Sequence, residues 1–159
     1  MRVMEKLRRG PARAPRPVGI VATLAFVAGA VLVIWSSYIH FHLWQKLGYR
    51  HLATIGPLFL AQAIAGVLVG LLVVGARRVW AALVGAGFAL STLIGFFISV
   101  EWGLFGFQDS SSAPYAQLAL AVEIAAAAVL VVAAALCLVG SPGAAVARRG
   151  PTGVDSSRV

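Results

Sequence analysis

Four long apolar runs are separated by short polar stretches. They cover about 18–39, 54–75, 79–100 and 115–139. Each is longer than the roughly 20 residues a helix needs to cross the hydrocarbon of a bilayer. Backbone amides left unpaired in lipid cost several kcal/mol each, so spans of this kind are helices or closed barrels. These runs are too long and too uniformly apolar for barrel strands, which alternate. The pattern predicts an all-α integral membrane bundle of four antiparallel transmembrane helices at 18–139, flanked by tails at 1–17 and 140–159. At the start of the second run, Thr54 is placed to cap the helix with its hydroxyl, and Pro57 falls in the first turn, where a missing N–H is harmless. The first run exceeds the 7–15 residues of a signal-peptide core, and the small residues of "AFVAGA" lie in mid-run, so it reads as an uncleaved span.

Composition agrees with this picture. The chain is 60% hydrophobic and 11% charged, against about 25% charged in ordinary soluble proteins. Its net charge of +8 would suit nucleic acid, but the positions of the basic residues argue against that partner. Eleven of the thirteen lysines and arginines lie before the first run, after the last, or in the turn between runs two and three. Arg8, Arg9, Arg77, Arg78, Arg148 and Arg149 therefore set topology, with both termini cytoplasmic and anionic lipid headgroups as the partner. Both tails are basic and rich in proline or glycine, and are expected to be disordered or to lie on the headgroups. Trp35, Tyr38, Trp44, Tyr49 and Trp102 crowd the opposite boundary, where aromatic rings prefer to sit. The single cysteine, Cys137, lies inside the fourth run and reads as an inert thiol; it excludes thiol oxidoreductases that need a cysteine pair.

Lipid tails are as apolar as leucine, so helix association relies on close packing and on a few polar contacts. Gly66-x3-Gly70, Gly85, Gly87, Gly95 and the alanines at 125–128 and 133–135 supply small residues. They are consistent with packing inside one chain, with a homo-oligomer, or with another membrane protein as partner.

Glu123 is the one acid within a run. It lies about 12 Å along its helix from Tyr115 at ~1.5 Å per residue. A charge at such depth costs about 2.5–3.5 kcal/mol on insertion scales. Gln62, Ser36, Ser37, Ser91 and Thr92 fall in the same half of the bundle, which predicts an intramembrane polar cluster around Glu123. It is read first as a structural hydrogen-bond network and second as a proton or ligand site. All three histidines lie within "HFHLWQKLGYRH". His40 and His42 are separated by about 200° on a helix and cannot share a face. The first reading is an interfacial rim of imidazoles beside Trp44, Lys46 and Tyr49. The alternatives are a metal site drawing on His40, His42, His51 and Glu101, or a haem. No cofactor is predicted otherwise.

Gly48-Tyr49-Arg50, Thr54-Ile55-Gly56 and Leu58-Phe59-Leu60, within "HLWQKLGYRHLATIGPLFLAQA", resemble a segment of small four-span membrane proteins of high-GC bacteria whose function is unknown. Ala53 stands where that segment is expected to hold proline. The resemblance implies a multi-pass protein of the bacterial plasma membrane and assigns no activity. The leading functional expectation is a non-enzymatic accessory or interaction protein. The alternatives are a small proton-coupled transporter using Glu123, and a metal- or haem-binding membrane protein using the histidines.

Overall fold

A computed structural model of the chain describes residues 16–139. Four helices make up nearly all of it: α1 (Arg16–Lys46), α2 (Ile55–Ala76), α3 (Val79–Glu101) and α4 (Ala116–Val139), with a short 3-10 turn at Tyr49–His51. All four are long and apolar enough to cross a membrane. Arg8, Arg9, Arg148 and Arg149, and with them nearly all of both tails, lie outside the described residues.

The buried positions explain how the helices associate. Along α1 they include Ala22, Phe26, Gly29, Val33, Ser36, His40 and Leu43, separated alternately by four and three residues. On α2 the same alternation runs through Gly56, half-buried Phe59, Ala63, Gly66, Gly70 and Val73. On α4 it runs through Ala116, half-buried Ala119, Glu123, Ala126, Leu130 and Ala133. A mean spacing of 3.5 keeps one narrow seam facing a neighbouring helix over its whole length. The large residues off these seams, such as Leu24, Leu68, Ile94 and Ile124, are exposed, as lipid-facing side chains must be. α1 packs along α2 and α4, and α4 along α3, whereas α2 and α3 touch much less.

Leu130 anchors one half of the bundle. A Cβ on Gly85 would lie 2.7 Å from Leu130 Cδ1 and 2.9 Å from Val73 Cγ2, and one on Gly29 would collide with the same leucine. The two glycines thus form a socket from α1 and α3 for a knob on α4. Gly66 and Gly70 abut Ser37 and Ile34 of α1, so this GxxxG pair serves a contact within the chain.

Helices α2, α3 and α4 begin and end within a residue of the apolar runs. Two details differ from the sequence expectation. Thr54 makes no side-chain cap; its backbone carbonyl accepts the Leu58 N–H at 3.3 Å instead. The larger difference is α1, which continues past Ile39 to Lys46. Its 31 residues reach about 46 Å at ~1.5 Å per residue, beyond a hydrocarbon core of about 30 Å. A helix that has left the lipid needs no further apolar residues, so hydropathy marks the membrane boundary and misses the helix end. His40 and His42 are therefore helical, and His40 lies more than a turn inside the end of α1.

Candidate functional site

The connections at 47–54 and 102–115 meet at one end of the bundle, where the Tyr49 and Phe107 rings lie 5.7 Å apart. Two local features bring them together. Gly56 lets the Tyr49–His51 turn settle onto α2, because a Cβ there would lie 2.8 Å from the Tyr49 carbonyl oxygen. In the other connection, Leu104 and Phe107 exchange backbone hydrogen bonds of 2.6 and 2.9 Å across Phe105 and Gly106. Both intervening residues have positive φ, 52° and 78°, the backbone of a tight reverse turn. The Asp109 N–H is tied to the Ser99 carbonyl and hydroxyl, both at 3.3 Å, and this holds the connection over the bundle.

Beneath this cover is a partly open cavity of about 230 Å³, bounded by α2, α3, α4, the buried face of α1 and both connections. Its walls are mainly apolar and aromatic: Tyr49, Phe59, Phe96 and Phe107 contribute rings. Its polar groups are His40, the Tyr49 hydroxyl, Gln62, Ser91, Thr92, Ser99, Asp109 and Glu123. Among the described residues, no lysine or arginine lines it.

Glu123 and His40, 2% and 8% exposed, belong to the inner wall. The Ser36 hydroxyl donates to Glu123 Oε1 at 2.8 Å. His40 Nδ1 lies 2.9 Å from the Ser36 carbonyl oxygen, which can only accept. Nδ1 therefore carries a proton, and the neutral imidazole presents Nε2 as a bare acceptor. That atom is 4.0 Å from Glu123 Oε1. The other carboxylate oxygen, Oε2, receives no hydrogen bond among the described residues. No fully enclosed side-chain nitrogen or oxygen among the described residues lacks a partner, so Oε2 borders open space, namely the cavity. Nearer the mouth, burial and, after it, the Asp109 carboxylate raise the Tyr49 phenol above its ordinary value, so it remains a hydrogen-bond donor at neutral pH.

The sequence-derived cluster separates into distinct contacts. Glu123 bonds to Ser36, while Gln62 donates to the Thr92 hydroxyl and links α2 to α3. Ser37 bonds back to the Val33 carbonyl and faces Gly66, away from Glu123. Ser91 bonds to the Phe88 carbonyl at the cavity wall. The histidines part company. His40 is buried with Glu123 and not on a rim, because the helix carries it inward along the α1 seam. His42 contacts Tyr38 and Tyr115, and exposed His51 accepts from Arg50 Nε at 3.1 Å. Glu101 is exposed. These four residues are not gathered, and no group of three or more metal-ligating side chains occurs among the described residues. Trp35, Tyr38 and Trp102 are exposed and Trp44 is half-buried against Phe41, whereas Tyr49 turns inward onto Phe59. Arg77 and Arg78 are exposed in the α2–α3 turn.

Sequence reasoning missed His40 as a partner of Glu123. The signal was its spacing from Ser36: four residues apart on a helix place two side chains on one face. Compared with protein families, curated proteins and solved structures, the chain matches none.

Proposed function

We propose that this chain is a small, non-enzymatic carrier of the bacterial plasma membrane in which protonation of the His40–Glu123 pair is coupled to occupancy of the cavity. In this reading the helices run antiparallel, both termini and the Arg77–Arg78 turn lie among anionic headgroups on the cytoplasmic side, and the cavity end faces outward.

The observation that carries the proposal is the pairing of two acceptors, His40 Nε2 and Glu123 Oε1, 4.0 Å apart on a cavity wall. A bare imidazole nitrogen and a carboxylate repel each other in a medium of low dielectric. One proton on either group, or one cation beside both, removes the conflict. The energetics also favour a working site over a purely structural one. A side-chain hydrogen bond inside a membrane protein is worth about 0.6 kcal/mol on average and at most about 1.7. Ser36 alone would not offset the penalty of about 2.5–3.5 kcal/mol that a charge carries at the bilayer centre, and contact with a partly open cavity lowers that cost. The titratable groups around the cavity are His40 from α1, Glu123 from α4, and Asp109 and Tyr49 from the connections; α2 and α3 contribute only neutral ones.

Infrared difference spectra of the reconstituted protein across a pH titration test the coupling. The expected result is a reversible carboxyl band, absent in Glu123→Gln and moved in pH by His40→Ala. A carboxyl that never titrates, or one indifferent to His40, contradicts the proposal. A second reading, an accessory protein that recognises a partner through this end, is favoured by Trp102 and Phe105, which are 80% and 69% exposed. Photo-crosslinking from position 102 to protein and not to lipid would support it.

A further inference from the structure

We infer that the cavity binds a protonated amine carried on a compact aromatic or apolar body, with Glu123 as its counter-ion. The inference rests on the cavity reading above and adds the ligand's chemical class.

The size of the space narrows the choice first. A cavity of about 150 Å³ accommodates a benzene ring. At 230 Å³, this one holds about nine non-hydrogen atoms on the same scale. A whole lipid or a porphyrin is too large to be enclosed, and a single ring with a short side chain fits. Polarity decides the rest. Once the pair's proton has left, Glu123 Oε2 and His40 Nε2 on the inner wall are both acceptors, so the group that can replace the proton is a donor. An ammonium offers up to three N–H donors and no acceptor. The charged side chains lining the cavity, Glu123 and Asp109, are both acidic, with no lysine or arginine to balance them. This arrangement attracts cations and repels carboxylates. Aromatic walls suit both an apolar ring and an adjacent positive charge.

Binding then exchanges one cation for another. The empty pair holds one proton, on His40 or on Glu123, and is neutral overall. The ammonium enters with its charge, donates to Oε2 and Nε2, and the pair's proton leaves to water through the cavity. One proton is released for each amine bound, and no covalent bond to carbon changes.

Three near-isosteric probes test this: 2-phenylethylamine, 2-phenylethanol and phenylacetate. Each is measured by equilibrium dialysis against the full chain in nanodiscs, with empty nanodiscs subtracted. The amine is expected to bind at least about tenfold more tightly than the alcohol, because its contact is charge-assisted, and phenylacetate is not expected to bind. Glu123→Gln should abolish the preference and Glu123→Asp should retain part of it. Gly95→Leu adds bulk in the cavity wall where a Cβ meets nothing within 4 Å and should weaken the amine and the alcohol alike. Calorimetry in two buffers of different ionisation enthalpy should show one proton released. Equal binding of amine and alcohol, an undiminished preference in Glu123→Gln, or no binding of any probe overturns the assignment. The infrared titration separates the two claims. A band that still responds to His40 while the probes fail removes only the amine; an amine that binds without releasing a proton removes only the coupling.

Discussion

The two halves of this bundle use the same helices and the same seam spacing to opposite ends. Around Leu130 glycines and alanines from the seams pack with Phe26, Val33 and Val73, the helices approach closely, and Leu130 fills the socket between Gly29 and Gly85. Around Glu123 the same seam carries Ser36, His40 and Glu123, and space remains beside it. The first arrangement maximises dispersion contact, which drives helix association when the solvent is lipid. The second forgoes that contact and retains a costly acid. One half holds the molecule together, and the other is free to hold something else.

The strongest test of this division is truncation at its two ends. Leu130→Ala should lower stability by about 2–5 kcal/mol, the range for deleting a well-packed leucine. Leu120→Ala, at the half-buried cavity wall, should cost well under half of that. Unfolding in mixed micelles measures both, and equal losses would remove the distinction. Adding a methyl group is the converse. Gly85→Ala forces a Cβ into Leu130 and Val73 and should destabilise by about 1–3 kcal/mol. Gly95→Ala meets nothing within 4 Å and should stabilise its helix by about 0.5–1 kcal/mol. If both destabilise, the cavity end is packed as tightly as the other.

A smaller effect is expected at the acid itself. Glu123→Gln keeps the shape and an acceptor for Ser36, and His40 can stay neutral, so no buried charge is left unpaired and stability should change by less than about 1 kcal/mol. A fall of several kcal/mol in the same unfolding assay would make Glu123 a structural strut. The smallest effect is expected at the cover. With its phenol raised by burial and by Asp109, the folded chain keeps the Tyr49 proton at a pH where the unfolded chain has lost it. Stability should therefore decline as pH rises above about 10, the unperturbed tyrosine value. Asp109→Asn should soften that decline, and an unchanged slope would separate Asp109 from Tyr49.

Much of the architecture can be read directly from the chain. Apolar runs and helices coincide for α2, α3 and α4, as expected where a helix and the apolar stretch that would cross a bilayer are the same length. α1 departs from this because backbone hydrogen bonding carries it into a region where hydropathy is silent. The polar cluster was legible as depth: counting residues from the ends brought Glu123 level with Gln62 and Ser36. Direction around the helix was harder. Ser36 and Ser37 are adjacent in sequence, yet one faces Glu123 and the other Gly66. His40 was obscured by its neighbours, since three histidines close together invite comparison with one another. The informative comparison ran backwards along α1, through Ser36 and Val33 to Phe26, where the alternation of four and three places His40 on the buried seam. The cavity has no counterpart in the sequence, because it depends on how little α2 and α3 touch and on a reverse turn at Phe105 and Gly106.

Whether water reaches Glu123 decides whether the cavity beside it is open. In a Cys137→Ala background, cysteines placed singly at Ala119 and Ala126 can be titrated with a membrane-impermeant thiol reagent on the reconstituted protein. Ala119 lines the cavity and Ala126 is fully buried, about two helical turns further along α4. Ala119→Cys is expected to be modified, 2-phenylethylamine to slow the reaction, and Ala126→Cys to stay inert. An unreactive Ala119→Cys, or equal reactivity at both positions, would contradict it.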